Sequence, residues 1–455
     1  MNKREEMLAN DKISSILFKL ALPATIAMLV NALYNIVDTI FIGRGIGTLG
    51  IAGVAVQLPI QMIILSCSLL IGIGSGSMLS RSLGKKELEK VNYIACNSFL
   101  CIGIIGITFS VFGYIFTAPI VKSFGATKNI LPYARDYAKI MFLGSLYFPF
   151  CVSTNSLIRS EGNSKDAMIS MIIGFILNVI LDYIFIFVFN MGIKGAALAT
   201  ILSKLGSFIY IIIYLNSNKT SIKIKARYFI PQKNIIGEIL SIGFSGFAVQ
   251  LSGSIVTITL NHCLAYYGSD LAIAIYGIVY KITLFLFMPL NGMIQGMQPI
   301  IGYNYGCNNI ARVKQTLKLT ITFTILFTMM GMLVIQFFSG RILGVFNKDN
   351  FLLSEGILTL RIVIMMTPFI GIQMTGLGLF QALGKPLTSF ILSILRQVII
   401  FIPLVLLLPN IKNLGILGIW ISFPISDLLS AIITILVFKK QSGKIFKQNT
   451  DSVSL

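Results

Sequence analysis

Runs of about 20 apolar residues recur along this 455-residue chain, and they constrain its fold more than any other feature. Each run is long enough to cross a bilayer as a helix, at about 1.5 Å per residue. Charged residues make up only 11% of the chain, which is too few to cover the surface of a soluble domain of this length. The short alternating segments of a transmembrane barrel do not occur in the sequence. The sequence therefore predicts an all-α, polytopic membrane protein.

The apolar runs predict twelve transmembrane helices in two pseudo-symmetric six-helix lobes. We place the spans at 17–42, 52–79, 93–117, 138–158, 167–189, 193–215, 236–264, 271–299, 316–339, 357–381, 387–409 and 415–438. The corresponding division is an N-terminal lobe at 1–215, a basic cytoplasmic linker at 216–235, a C-terminal lobe at 236–438 and a cytoplasmic tail at 439–455.

The formal net charge of +20 is a topology signal, because the basic residues concentrate in alternate loops. By the positive-inside rule, both termini are expected in the cytoplasm. The charge therefore does not indicate nucleic acid as a partner. We expect the largest basic cluster, between spans six and seven, to touch anionic lipid headgroups. Its members are Lys219, Lys223, Lys225, Arg227 and Lys233.

A weak internal repeat relates the two halves of the chain at a nearly constant offset. The matching pairs are LGIAGVAV at 49–56 with LAIAIYGI at 271–278, SLGKKELEKV at 82–91 with NYGCNNIARV at 304–313, SLIRSEG at 156–162 with GLFQALG at 378–384, and GIKG at 192–195 with GILG at 415–418. Because each half has an even number of spans, the halves are parallel repeats, and a substrate is expected in the cleft between them.

Two acids lie deep in apolar spans of the first half, Asp38 in span one and Asp182 in span five. An acid at the centre of a span costs about 2.5–3.5 kcal/mol on insertion scales, so a function is the default interpretation. The repeat places apolar residues opposite both acids, which indicates a polar site in the first half only. Counting residues, Asp38 lies about 7 Å from the outer membrane end of its span, and Asp182 and Thr200 about 10 Å. Asn178 lies one helical turn before Asp182, on the same face.

These groups suggest an ion-coupling site in the first lobe. Two neighbouring carboxylates in a low dielectric cannot both stay ionised, so they could share a proton. Alternatively, the oxygens of Asp38, Asp182, Asn178 and Thr200 could bind Na⁺. Either ion could bias a bend at Pro23 in span one. The competing interpretation is that backbone groups or Lys204 simply satisfy both acids.

Several segments together resemble the multidrug and toxic compound extrusion (MATE) family, in its DinF/MepA-like bacterial branch. These are LALPATIAMLVNALYNIVDTIFIGR at 20–44, the GNSKD loop followed by NVILDYIFIF at 178–187, MGIKGAALAT at 191–200, and NHCLAYYGSDLAIAIYGIVYK at 261–281. The resemblance implies two six-helix lobes in a bacterial plasma membrane. It also implies export of cationic and amphipathic organic compounds in exchange for H⁺ or Na⁺.

The resemblance assigns roles to matching positions. The family's acid pair would be Asp38 and Asp182, its cation-site amide and hydroxyl Asn178 and Thr200, and its bending proline Pro23. Further polar positions lining this lobe would be Tyr34, Tyr137 and Asn155, although the depth of Asn155 suggests a place nearer the inner face. Span seven carries Gln250 where some members have acids, and its nearest ionisable residue is His262, so we expect no second cation site there.

The second half contains three further charges within its spans, Lys281, Arg396 and Asp427. Intramembrane charges usually pair, so we expect a buried structural ion pair or triad. Alternatively, these charges could form a second polar wall of the cleft, with Asp427 attracting a cationic drug. The lone histidine, His262, is expected at the membrane interface.

No motif points to an enzyme or to a bound cofactor other than the coupling ion. The sequence has no GxxxxGK[ST], HExxH or GxSxG motif, and its six cysteines lack metal or disulfide spacing. We therefore expect a secondary antiporter that works by alternating access, as a monomer. A lipid-linked oligosaccharide flippase of the same architecture is the alternative. A channel is disfavoured because no ring of repeated filter residues occurs.

Overall fold

The computed structural model describes residues 3–268, 270–346 and 350–447 of the chain. Ten helices within these ranges are long and apolar enough to cross a membrane. Two further pairs of shorter helices can each form one bent span, which gives up to twelve. The predicted all-α, polytopic fold is confirmed.

Nine helices build the first lobe and the segment that precedes it. They are α1 (Lys3–Asn10), α2 (Ile13–Gly45), α3 (Thr48–Gly84), α4 (Leu88–Ile115), α5 (Thr117–Ser123), α6 (Leu131–Gly144), α7 (Phe148–Ser160), α8 (Ser164–Asp182) and α9 (Gly192–Leu215). A π-helical segment, Tyr183–Val188, continues α8 directly after Asp182.

Eight α-helices build the second lobe within the described residues. They are α10 (Lys233–Tyr267), α11 (Asp270–Gly306), α12 (Ile310–Gly344), α13 (Asn350–Ile364), α14 (Thr367–Ala382), α15 (Pro386–Ile394), α16 (Ile402–Leu407) and α17 (Ile416–Lys447). A second π-helical segment, Leu395–Phe401, joins α15 to α16 and contains Arg396.

Spans four and ten, predicted at 138–158 and 357–381 as single helices, are each broken. Helices α6 and α7 meet at 46°, and α13 and α14 meet at 44°. Pro149 and Pro368 lie in the first turn of α7 and α14. A proline fits the first turn of a helix, but it lacks the N–H that a continuous helix would need there and disfavours helical geometry in the preceding residue.

The two lobes pack together most closely at the face where α2 and α10 begin and α3 ends, which we call the termini face. Helix α3 packs against α10, and α2 against α11. A Cβ added at Gly74 would overlap the Ile239 carbonyl, and one added at Gly243 would overlap the Leu70 carbonyl. The backbones of α3 and α10 are therefore in direct contact there, at positions that only glycine permits.

The buried apolar residues show that the lobes separate away from the termini face. The largest buried cluster crosses both lobes and includes Ile71 of α3, Ile239 of α10 and Met297 of α11. Towards the opposite face, the buried clusters are confined to a single lobe, such as the one around Tyr137 and the one around Leu260. The chain is thus closed between its lobes at the termini face and divided at the opposite face.

Candidate functional site

The packing of α2 against α8 brings Asp38 and Asp182 together inside the first lobe. Asp38 is 7% exposed and Asp182 is fully buried. The two carboxyl groups are close enough to interact electrostatically.

Asn178 and Thr200 lie beside the two acids. Asn178 precedes Asp182 by one turn of α8, is fully buried, and interacts through its side chain with the Asp182 carboxyl. Thr200 of α9 is also buried, and the Tyr34 hydroxyl donates a hydrogen bond to its Oγ1 at 3.3 Å. The buried Tyr137 of α6 interacts with Thr200 as well. We call Asp38, Asp182, Asn178 and Thr200 the acid cluster.

The acid cluster contains several buried polar atoms that have no hydrogen-bond partner among the described residues. They are Asp38 Oδ1, both carboxyl oxygens of Asp182, and both Oδ1 and Nδ2 of Asn178. A buried polar atom left unsatisfied costs about 1–3 kcal/mol. The carboxyl and amide oxygens of the acid cluster could accept a proton or coordinate Na⁺, so the residues present fit a bound coupling ion. Among the described residues, no group of three or more His, Cys, Asp or Glu could hold a metal ion.

Lys204 adds a positive charge at the edge of the acid cluster. It lies one turn after Thr200 on α9, and its ammonium interacts electrostatically with Asp38. However, none of the ion pairs formed by the described residues joins Lys204 to either acid. Instead, Lys204 Nζ lies 4.5 Å from the centre of the Tyr34 ring and 5.7 Å from that of Phe148. Lys204 therefore does not directly neutralise the acids in this conformation.

Two of the remaining first-lobe residues lie apart from the acid cluster. Asn155 of α7 accepts a hydrogen bond from Ser170 Oγ at 2.9 Å. Ser170 lies two turns, or about 12 Å, from Asn178 along α8 in the direction of the termini face. Pro23 lies within α2, which continues through it from Ile13 to Gly45.

In the second lobe, Arg396 and Asp427 form a buried ion pair. The Arg396 Nε donates to Asp427 Oδ1 at 2.7 Å, and Asp427 is 1% exposed. Lys281, expected to be a buried charge, is instead exposed, and that expectation is wrong. The long apolar stem of a lysine allows its ammonium to reach a more polar environment than its backbone position suggests. Lys281 is therefore not part of a buried triad.

Gln250 and His262 both lie on α10. The amide nitrogen of Gln250 lies 3.0 Å from Met62 Sδ of α3, so Gln250 contacts the opposite lobe. His262 is exposed, five residues before the end of α10.

Phe148 has no role predicted from the sequence, and Lys204 is predicted only as a partner of the acids. The spacing from Thr200 to Lys204 could have placed the ammonium on the same face of α9 as the acid cluster. Pro149 could have indicated the helix break before Phe148, but the proximity of Phe148 to Lys204 depends on how α7 packs against α9.

Two helical lobes that separate towards one face, with a cluster of unsatisfied acids inside one of them, are the architecture of a membrane transporter. The family model described as MatE matches residues 23–184 and 242–407, which together are more than half of the chain. The chain belongs to the MatE family.

Relatives and solved structures agree with this assignment. The chain is 30% identical over 422 residues to the multidrug export protein MepA of Staphylococcus saprophyticus, covering 92% of this chain and 91% of that protein. A crystal structure described as MATE in the bent conformation is 26% identical to this chain and has a TM-score of 0.93. The match covers 98% of this chain and 99% of that one. An outward-facing structure of a multidrug resistance MATE family transporter is also 26% identical, with a TM-score of 0.92 and the same coverage. These relatives are named as transporters of drugs, which does not favour the lipid flippase alternative.

Proposed function

We propose that this chain exports organic cations and amphipathic drugs in exchange for H⁺ or Na⁺, by alternating access across a bacterial plasma membrane. A single chain contains both lobes, so the monomer is the functional unit. Both termini, and hence the termini face, lie in the cytoplasm. The coupling ion binds at Asp38 and Asp182, with Asn178 and Thr200 completing the site.

The observation that carries this proposal is the set of unsatisfied polar atoms in the acid cluster. Purely structural acids would be paired, as Asp427 is with Arg396. The atoms of Asp38, Asp182 and Asn178 are buried without such partners among the described residues. These atoms offer a cation a binding site in this conformation, and an ion that binds one conformation more tightly than the other shifts the equilibrium between them.

Helix α2 is the proposed moving element, because it carries both Asp38 and Pro23. Pro23 cannot donate to the Lys19 carbonyl, which weakens the helix at that turn. A related structure is described as having a bent conformation, which supports such a motion in the family. Binding of the ion would neutralise the acid cluster, bend α2 and release the substrate towards the face where the lobes are separated.

The test is efflux from proteoliposomes containing purified protein, driven by an imposed ion gradient. Asp38→Asn and Asp182→Asn should each reduce ion-driven ethidium efflux to the background of empty liposomes, because the amide cannot bind the coupling ion in the same way. The matched control is Asp136→Asn, which removes an acid of the same lobe that pairs with Lys194 at 3.3 Å on the surface. Full efflux by both cluster variants would refute the proposal.

The coupling ion is identified by imposing a pH gradient and a Na⁺ gradient separately. The side-chain oxygens of the acid cluster can bind either H⁺ or Na⁺. One gradient alone should drive efflux by the native protein, and the same gradient should fail with Asp182→Asn. Efflux that needs neither gradient would contradict secondary antiport.

A further inference from the structure

Two aromatic rings flank the ammonium of Lys204 in the first lobe. Tyr34 comes from α2 and Phe148 from the first turn of α7, and their ring centres lie 4.5 and 5.7 Å from Lys204 Nζ. An ammonium within about 6 Å of an aromatic ring centre is attracted by the ring face, and proteins use such rings to bind organic ammonium ligands. We call Tyr34 and Phe148 the aromatic cage.

The aromatic cage lies next to the acid cluster. Tyr34 precedes Asp38 by one turn of α2, and its hydroxyl bonds to Thr200 of the acid cluster. Lys204 lies one turn beyond Thr200 on α9 and already interacts with the Asp38 charge. Its flexible four-carbon stem gives the ammonium the freedom to move from the cage towards the acids.

We propose that Lys204 is a tethered cation that links substrate binding to ion binding. When the acid cluster holds no coupling ion, its negative charge attracts Lys204, and the ammonium of an organic cation occupies the aromatic cage. When a coupling ion neutralises the acids, Lys204 returns to the cage and displaces the substrate. Substrate and ion thus exclude each other although they bind at different places, which is the requirement of an exchange transporter. This inference rests on the proposed antiport function.

The charges of the described residues support such a linkage. Asp38 and Asp182 carry two negative charges when ionised, and Lys204 would compensate one of them if its ammonium moved to the acids. A bound H⁺ or Na⁺ would compensate the same charge. The coupling ion therefore weakens the attraction of the Lys204 ammonium to the acids, and Lys204 at the acids weakens the binding of the ion. Tyr34, Phe148 and Lys204 are all half-buried, so a ligand can reach the aromatic cage.

The test measures ethidium binding to the purified full-length protein in nanodiscs, by fluorescence anisotropy. Binding is measured in NaCl and in KCl, and at high and low pH. In the native protein, the coupling ion should weaken ethidium binding by about fivefold or more, which is a typical size for linkage between sites. In Lys204→Met, ethidium should bind tightly whether or not the ion is present, because nothing returns to the cage.

Two further variants make the result specific. Lys204→Arg keeps the positive charge and should retain the effect of the ion. Lys19→Met removes an exposed lysine of α2 about 22 Å along the helix from Tyr34, and it should behave as the native protein does. If Lys204→Met does not yield folded protein, Lys204→Gln serves the same comparison with a polar side chain.

The outcomes separate this inference from the proposed function. If the ion weakens ethidium binding equally in the native protein and in Lys204→Met, substrate and ion compete directly at the acids, and the role of Lys204 is refuted while antiport stands. If no ion affects ethidium binding to the native protein, the proposed antiport itself fails, and the inference fails with it. Loss of the ion effect in Lys204→Met with retention in Lys204→Arg supports the inference.

Discussion

Glu161 shows how one residue can fix the position of a segment that lies outside the membrane helices. It lies between α7 and α8 and is 3% exposed. Its carboxyl group accepts hydrogen bonds from the Thr220 hydroxyl at 2.8 and 3.0 Å, from the Ser221 N–H at 3.0 Å and from the Tyr214 hydroxyl at 3.1 Å. Thr220 and Ser221 belong to the segment that joins the lobes, so Glu161 fixes that segment to the first lobe.

Burial gives Glu161 a measurable effect on stability. Desolvation raises the pKa of this carboxyl above its ordinary value, even though the hydrogen bonds from Thr220 and Tyr214 and the charge of Arg4 act to lower it. Between the ordinary and the raised value, the folded protein holds a proton that the unfolded chain has lost, so stability falls as pH rises through that interval. Glu161→Gln should reduce this dependence, as measured by thermal unfolding across a pH series. An unchanged pH profile in the variant would exclude Glu161 as its source.

At the scale of elements, α3 and α10 form the contact that closes the termini face. Their glycines bring one backbone against the other, and polar bonds reinforce the same region. Arg81 of α3 pairs with Glu238 of α10 at 2.9 Å, and Ser77 Oγ donates to the Gln381 carbonyl of α14. Gly74 and Gly243 set the distance between the two helices. Long side chains such as Arg81 and Glu238 could also pair across a wider gap.

Gly74→Ala and Gly243→Ala should therefore force α3 and α10 apart. Each new Cβ meets a backbone carbonyl that cannot move aside without displacing its helix. Overpacking of this kind typically costs about 1–3 kcal/mol, so we expect a lower unfolding temperature and slower ethidium efflux. The matched control is Gly253→Ala, also on α10, where an added Cβ meets nothing within 4 Å. Equal unfolding temperatures and efflux rates in all three variants would show that the close contact between α3 and α10 does not determine stability or transport.

At the scale of the whole molecule, the sequence predicted the helices and the level of the acids, but not how distant segments meet. Hydropathy predicts spans because each helix must satisfy its own backbone in lipid. Counting residues placed Asp38, Asp182 and Thr200 at a similar depth, and the structure brings them together. Pro149 and Pro368 are local signals for the breaks in spans four and ten. The proximity of Phe148 to Lys204 depends instead on contacts between segments far apart in sequence, which local patterns do not record.

The N-terminal helix α1 was not predicted to have a role, yet it bridges both lobes at the termini face. Arg4 donates to the Tyr214 hydroxyl at 2.8 Å and to the Lys219 carbonyl. The Leu8 carbonyl accepts hydrogen bonds from Asn304 at 3.1 Å and Arg312 at 3.2 Å in the second lobe. The buried Leu8 side chain also packs against Gly162 of the first lobe.

Removal of residues 1–10 should therefore make the termini face open more readily. Spin labels at the exposed positions 165 and 318, one in each lobe, report the separation in a background without native cysteines. We expect the distance distribution of the truncated protein to gain a longer component that is minor in the full chain. Arg4→Ala should produce part of this change, since it removes only the contacts with the first lobe and the linker. Identical distributions would show that α1 does not hold the lobes.

The ion pair between Arg396 and Asp427 has an electrical consequence. Because these charges cancel inside the second lobe, the pair itself contributes little to any movement of charge across the membrane field. A voltage of 100 mV acts on each uncompensated elementary charge that crosses it with about 2.3 kcal/mol. Arg396→Met, which leaves Asp427 without its partner, should therefore change the voltage dependence of the transport rate, measured as efflux at imposed membrane potentials.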